Sequence, residues 1–222
     1  MQPQYVCDMT RLRIAATVLA MILAAASATA ASLPPVEAWE IGPWARGRNY
    51  SVGMPLNPTP EPGGSLSFEF PLVGRGEVDA LTTAVGPLAG ARQITMRYRI
   101  DAARGTRFRP TELEQEPATV SLYFQRRGDT WTARGRYASY RWYVPARAVM
   151  PLSPGEHTMT VRFDEVWTNV NGQPNTVDPV GFAAALEETS RIGIAFGSPG
   201  RRSHGVHSTE PARFTLLALD IR

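Results

Sequence analysis

The chain of 222 residues contains one cysteine and no lysine, and each absence narrows its possible structure and function. Because Cys7 stands alone, no disulfide can form within the chain, and stability must come from core packing, with or without a metal ion. The 23 basic residues are all arginine and face 20 acidic residues, which leaves a net charge of only +3. A strongly basic surface of the kind that binds nucleic acid is therefore not expected.

Long hydrophobic runs are also scarce, and the one candidate lies near the N-terminus. Residues 14–26 are apolar, follow Arg11 and Arg13, and precede the small residues 28–30. This order is typical of a bacterial export signal, and the apolar run is shorter than the roughly 20 residues that span a bilayer. We expect a signal peptide over residues 1–30 with cleavage after Ala30, no transmembrane anchor after cleavage, and a periplasmic or extracellular protein.

Prolines are concentrated in residues 31–64, at Pro34, Pro35, Pro43, Pro55, Pro58, Pro60 and Pro62. Because proline lacks a backbone N–H, it is disfavoured in helix interiors and central strands. The same segment holds Trp39, Ile41 and Trp44, which are apolar enough to dock on a core. The pattern predicts an irregular N-terminal arm that packs on a β-sandwich domain formed by residues 65–222.

From Ser65 onward, apolar and polar residues alternate with the period of a strand that has one buried face. Residues 182–190 instead have the spacing of one short helix. The alternating segments predict an all-β fold, an antiparallel β-sandwich of jelly-roll type with seven or more strands. These segments are residues 66–70, 94–100, 120–125, 140–144, 157–163, 192–196 and 214–221.

The C-terminal third carries a series of recognisable segments, which are residues 154–161, Trp167, 169–172, 182–186, 192–197, 204–206 and 214–221. This series resembles the galactose-binding-like jelly-roll domains of secreted proteins, a fold that many carbohydrate-binding modules share. The resemblance implies a jelly roll and makes a polysaccharide or another glycan the expected partner. It identifies a fold and not a function, because this sandwich serves several roles.

The same resemblance implies a structural Ca²⁺ near the two chain ends. Modules of this fold often take one carboxylate from the last strand and one from the N-terminal segment, and Asp220 and Glu37 or Glu40 occupy similar places here. Carboxylate oxygens suit this hard cation, and a domain without disulfides would be stabilised by it. The alternative is that these three carboxylates are simply solvated.

Aromatic and arginine side chains crowd into residues 131–143, which is the best candidate for a sugar-binding site. Aromatic rings stack on the apolar faces of sugars, while Arg and Asn side chains bond the hydroxyls. Alternation places Tyr140 and Trp142 on one face of a strand and Arg141 and Tyr143 on the other, and which pair is buried stays open. An exposed Arg141 and Tyr143 would form the sugar-binding surface. Packing of most of these rings inside the sandwich is the alternative.

A second candidate is the loop after residue 163, because loops at the end of a rigid sandwich often bind ligands. We expect ring stacking on Trp131, Tyr143 or Trp167 and hydrogen bonds to hydroxyls from Arg134, Arg141 and Asn171. The alternative for Asn171 is an ordinary turn with Gly172. The favoured function is non-catalytic binding of carbohydrate or envelope glycan.

Two other classes of function remain as alternatives. A polysaccharide hydrolase or lyase on the same scaffold would use Glu112, Glu114 or Asp164 as acid and base. A structural or adhesive envelope protein would instead bind another protein through exposed apolar patches. His204 and His207 could ligate zinc only with a third ligand that the sequence does not identify.

Overall fold

The computed structural model describes residues 33–222, so the predicted signal peptide and its cleavage site lie outside the described residues. The helix α1 is Pro179–Glu187, and short 3-10 turns lie at Val36–Ala38, Pro62–Gly64, Gly135–Ser139 and Ala146–Ala148. The strands, numbered along the chain, are β1 (Trp39–Gly42), β2 (Trp44–Ala45), β3 (Arg48–Asn49), β4 (Thr59–Pro60), β5 (Leu66–Glu69), β6 (Ala80–Ala84), β7 (Gln93–Ala102), β8 (Phe108–Pro110), β9 (Thr119–Arg126), β10 (Arg141–Tyr143), β11 (Met150–Pro151), β12 (Gly155–Arg162), β13 (Thr168–Asn169), β14 (Thr189–Gly197), β15 (Val206–Ser208) and β16 (Ala212–Ile221).

Two antiparallel sheets pack face to face. The seven-stranded sheet has the order β1-β6-β14-β9-β10-β13, with β11 beside β9, and the five-stranded sheet has the order β12-β7-β16-β5-β4. Their inner faces meet where Phe196 of the first sheet contacts Phe68 and Phe214 of the second at ring distances of 5.4 and 5.3 Å. The predicted all-β fold, an antiparallel β-sandwich with one short helix, is confirmed.

The five-stranded sheet follows the alternation read from the sequence. In β7 the side chains of Ile94, Met96, Tyr98 and Ile100 are buried in the core, and the residues between them are at least partly exposed. This alternation arises because the outer face of the sheet lies in water.

The helix starts three residues before the predicted segment, at Pro179. The Asp178 side chain caps it by accepting a hydrogen bond from the Gly181 N–H at 2.9 Å, and proline suits the first helical position because its missing N–H has no partner there. The helix ends at Glu187 because the chain continues directly into β14.

The predicted irregular arm contributes strands to both sheets, β1 to the seven-stranded sheet and β4 to the five-stranded sheet. Trp39 and Ile41 are fully buried, and β1 pairs with β6 at the edge of the seven-stranded sheet. An edge position fits the flanking prolines, which would interrupt a central strand. Trp44, which the sequence placed on the core, is 48% exposed instead.

The seven-stranded sheet is covered on both faces. Val120, Leu122 and Phe124 of β9 point into the main core, while Tyr123 belongs to a separate cluster on the outer face. Tyr123 packs there with Ala80, Tyr143 and Ala195, and Trp131 and Val170 from two loops lie against them. This covered outer face carries the candidate site.

Trp167 lies in the main core and not on the surface. Its ring stacks on Phe163 at 5.4 Å and contacts Phe124 at 5.3 Å, and its indole N–H donates to the Arg162 carbonyl at 2.9 Å. The expectation that Trp167 stacks on a sugar is therefore corrected, because a fully buried ring has no face available to a ligand.

We predict that Trp167→Ala lowers the free energy of unfolding by about 3–5 kcal/mol, as expected for removal of a buried indole. Urea unfolding monitored by circular dichroism measures it. Trp44→Ala is the control, and since about half of that ring is already in water it should cost less than about 1 kcal/mol. Equal losses for the two variants would contradict this position of Trp167.

Candidate functional site

Two cavities lie on the outer face of the seven-stranded sheet and share the side chain of Trp131. The central cavity, of about 700 Å³, is lined by Pro43, residues 45–46, Tyr50, Glu77, Asp79, residues 111–112, Trp131, Arg141, Tyr143, residues 168–172 and residues 199–204. The edge cavity, of about 690 Å³, is lined by residues 37–40, Trp44, residues 56–57, 125–126 and 128–129, Trp131 and residues 190–191. The hairpin formed by β2 and β3 supplies residues to both cavities.

A buried ion pair forms the floor between the cavities. Arg141 of β10 donates from Nε to Asp129 Oδ2 at 3.0 Å, and the two side chains are only 5% and 2% exposed. Asp129 also accepts hydrogen bonds from Gln125 Nε2 at 2.7 Å and from the Trp131 N–H at 3.0 Å. The carboxylate thus fixes the loop that follows β9, because three elements converge on it.

The backbone of Trp131 adopts a left-handed conformation, with φ of 60°. This conformation is unfavourable for a residue with a side chain, and the hydrogen bond from its N–H to Asp129 holds it in place. The ring lies 3.9 Å from the Arg141 guanidinium carbon and meets Tyr123 edge-on at 5.6 Å. Trp131 is partly exposed, so part of its ring remains accessible to a ligand.

Tyr123 lies flat on the sheet because its neighbour on β14 is glycine. A Cβ on Gly193 would collide with the Tyr123 ring, and the Tyr123 hydroxyl shares a hydrogen bond with Thr82. Any larger residue at position 193 would force the Tyr123 ring out of this position.

Asp79 brings an unusual carboxyl group to the central cavity. It is only 5% exposed, and no hydrogen-bond partner for Oδ1 is found within residues 33–222. Burial, together with the negative charges of Glu77 and Glu112, raises the pKa of Asp79 to about 8. The carboxyl group is therefore protonated at neutral pH and can donate a hydrogen bond.

Arg202 and Ser203 reach the same cavity from the loop before β15. Arg202 donates from Nη1 to the Val144 carbonyl at 2.8 Å, and its guanidinium carbon lies 5.6 Å from the centre of the Tyr143 ring. Burial lowers the pKa of Arg202. Ser203 is 8% exposed, and in the described part of the chain its hydroxyl has no hydrogen-bond partner.

The structure brings four of the six predicted ligand residues together. Trp131, Arg141, Tyr143 and Asn171 all line the central cavity, whereas Arg134 is exposed outside both cavities and Trp167 is in the core. The open choice between the two faces of β10 is also resolved, because Trp142 points into the main core while Arg141 and Tyr143 lie on the outer face. That outer pair is itself buried, since loops cover it.

Asn171 is held at the rim of the cavity by a compact loop. Asn169 accepts hydrogen bonds from the backbone N–H groups of Asn171 and Gln173, both at 3.0 Å. The Asn171 side chain donates to the Ala133 carbonyl at 3.2 Å, which links this loop to the one that carries Trp131.

The carboxylates expected to bind Ca²⁺ do not fit such a site. Glu40 lies in the seven-stranded sheet and pairs with Arg191 at 3.2 Å, whereas Asp220 lies in the five-stranded sheet and pairs with Arg222 at 2.5 Å. Glu37 is exposed. Within residues 33–222, no group of three or more His, Cys, Asp or Glu side chains could hold a metal ion.

The acidic residues suggested for catalysis are dispersed. Glu112 lines the central cavity and pairs with Arg201 and His204 at 3.3 and 3.2 Å. Glu114 lines neither cavity, and Asp164 is an exposed residue whose pKa is lowered by its hydrogen bond with Arg162. The histidine pair separates as well, because His207 lies on β15 opposite Arg109 and only His204 reaches the cavity.

Among the lining residues that the sequence did not identify as part of a site are Trp44, Asp79, Arg202 and Ser203. Asp79 stands between Val78 and Ala80 at the start of a buried strand, and a charged residue at such a position is a usable signal. Trp44 lies in the short strand β2, and Arg202 and Ser203 lie in the loop before β15, where the local sequence pattern does not predict a cavity.

No family model matches the chain, and a search of curated proteins found no match. Solved structures similar to it include the xylan-binding module CBM15, at 12% identity and a TM-score of 0.39, over 84% of this chain and 95% of that one. A basic winged bean lectin with Tn-antigen aligns at 10% identity and a TM-score of 0.34, over 83% of this chain and 93% of that one. Xylanase 10C from Cellvibrio japonicus with xylopentaose aligns at 13% identity and a TM-score of 0.38, over 83% of this chain and 28% of that one. Likenesses this distant say nothing of this chain's own ligand.

In the described range, no helix is both long and apolar enough to cross a membrane.

We predict that Asp79 makes folding less favourable as the pH rises from about 4 to about 8. In this window the unfolded chain releases a proton that the folded protein keeps, so stability falls by up to about 1.4 kcal/mol per pH unit relative to a variant without the carboxyl group. Urea unfolding of the wild type and of Asp79→Asn across this range measures the difference. Parallel stability curves for the two proteins would show that Asp79 titrates normally.

Proposed function

We propose that the two cavities around Trp131 form one binding cleft for a glycan, and that the protein binds it without cleaving it. The observation that carries this proposal is a set of buried polar atoms for which no partner is found in the described residues. Asp79 and Ser203 line the central cavity, and Gln125 lines the edge cavity. Asp79 Oδ1, Ser203 Oγ and Gln125 Oε1 are buried beside these cavities without a hydrogen-bond partner in the described residues. Such groups are costly to bury, and a ligand rich in hydroxyls would satisfy them.

The aromatic side chains of the cleft support the same ligand class. Trp131 lines both cavities, and the half-exposed Trp44 lines the edge cavity. Aromatic rings supply large apolar faces for the C–H surfaces of sugars, while the polar groups around them fix the orientation of a ligand. A cleft that spans two cavities suits an oligosaccharide better than a single sugar.

Glycan binding also agrees with the export expected from residues 1–30. An exported protein would meet the polysaccharides of the cell envelope or of the surroundings. This location remains part of the proposal.

Hydrolysis is the second candidate, and Asp79 is the residue that favours it. A carboxyl group that stays protonated at neutral pH beside the acidic Glu77 and Glu112 resembles the acid of an acid–base pair. Its proton would pass to the leaving glycosidic oxygen while a carboxylate activates water. Release of reducing ends from a bound oligosaccharide would establish this activity and contradict purely non-catalytic binding.

The test of glycan binding is a thermal-shift and calorimetric screen of the mature protein with xylopentaose, mannopentaose and tetragalacturonate. A sugar at about 100 times its Kd should stabilise the protein by about 2.7 kcal/mol. Trp131→Ala should weaken binding at least about tenfold, which corresponds to about 1.4 kcal/mol, because it removes the ring shared by both cavities.

Tyr137→Ala is the matched control, since Tyr137 is a partly exposed ring that contacts Tyr140 and lines neither cavity. This variant should bind as the wild type does. The proposal fails if no sugar of the panel stabilises the protein, or if the two variants lose affinity equally.

A further inference from the structure

We propose that the glycan is acidic and that Arg202 binds the carboxylate of a uronic acid in the central cavity. This inference rests on the glycan-binding function proposed above and names the class of sugar. The geometry that carries it is a partly buried guanidinium whose free edge has no protein partner in residues 33–222.

The hydrogen bonds of Arg202 leave one side of its guanidinium free. Nη1 donates to the Val144 carbonyl at 2.8 Å and lies 3.5 Å from Thr168 Oγ1. Over residues 33–222, neither Nε nor Nη2 forms a hydrogen bond, and no carboxylate lies within 4.0 Å. The edge formed by Nε and Nη2 matches the two oxygens of a carboxylate, which it can bind through two parallel hydrogen bonds.

Arg141 lines the same cavity as Arg202 but differs from it in having a carboxylate partner. Its Nε donates to Asp129 at 3.0 Å, so its charge is balanced within the protein. Arg202 has no such counter-charge among the described residues. Because a desolvated cation without a partner is unfavourable, an anionic ligand gains from binding there.

The other charges of the cavity leave Arg202 available to an anion. Glu112 is balanced by Arg201, and Asp79 is protonated at neutral pH. Glu77 is the remaining carboxylate, and it packs against the backbone of Gly205, where a Cβ would collide with it. The neutralised Asp79 removes a negative charge that would otherwise repel a uronate.

Ser203 supports the same assignment. It follows Arg202 directly, lines the same cavity, and carries a buried hydroxyl without a partner in the described part of the chain. A hydroxyl can donate to a second oxygen of the sugar beside the one bound by arginine. The two groups together form a site built from one short loop.

The test compares each acidic sugar with its uncharged form. Tetragalacturonate and tetramannuronate are titrated by calorimetry against the mature protein beside their methyl esters, which lack the negative charge. The wild type should bind at least one acid about tenfold or more tightly than its ester, as expected for a charge-assisted bidentate pair. Arg202→Gln should remove this preference and leave the affinity for the ester within about twofold.

Two further variants keep the test decisive. Arg202→Lys keeps the charge and loses the planar edge, so it should retain only part of the preference and serves if Arg202→Gln fails to fold. Arg134→Gln removes an arginine outside both cavities and should behave as the wild type does.

Equal binding of acids and esters would overturn the uronate assignment and leave the glycan-binding proposal standing. An acid preference that survives in both Arg202 variants would also overturn it. Absence of binding by every acid, every ester and the neutral sugars would instead contradict glycan binding itself.

Discussion

The buried ion pair between Arg141 and Asp129 organises the outer face of the seven-stranded sheet. Asp129 accepts hydrogen bonds from Gln125, Trp131 and Arg141, and these residues come from β9, the following loop and β10. Replacing such a pair with apolar residues is often neutral or stabilising, whereas removing one partner costs about 3–5 kcal/mol. The main role of the pair is therefore to hold the loop after β9 in position, which places Trp131 between the two cavities, and not to stabilise the fold.

This arrangement gives the protein two interiors with different chemistry. The space between the sheets is apolar and rich in aromatic rings, whereas the outer face of the seven-stranded sheet is a smaller, polar interior covered by loops. In the polar interior, Arg141 is satisfied by Asp129, while Asp79 Oδ1 and Ser203 Oγ have no partner among residues 33–222. The satisfied groups hold this face in shape, and the unsatisfied ones are buried beside the central cavity.

The sequence predicted the sandwich well where one face of a sheet meets water. The alternation in β7 identified its buried residues because the other face is exposed. In β9 the same alternation identified Val120, Leu122 and Phe124 as the core face. It did not show that the other face is covered too, so that seven of the eight residues are buried. It placed Arg141 and Tyr143 opposite Trp142, which the structure confirms, but it could not foresee that loops bury the outer pair as well.

The candidate site could be predicted only in part, because long-range pairing assembles it. Residues 131–143 were recognisable from their aromatic and arginine content. Asp79 and Arg202 are far apart in the chain and meet in one cavity because β6 and β14 pair as neighbours. Trp167 and Trp131 are equally aromatic in sequence, and only the packing distinguishes a core ring from a cleft ring.

We propose that Trp131 lies at a glycan-binding cleft, whereas Trp142 and Trp167 belong to the core. The most direct test records the indole N–H signals of the five tryptophans by ¹⁵N-resolved NMR during titration with tetragalacturonate and, separately, with xylopentaose. We expect the signals of Trp131 and Trp44 to shift with at least one sugar while those of Trp142 and Trp167 stay in place. Shifts confined to Trp142 and Trp167, or no shift at all with either sugar, would contradict it.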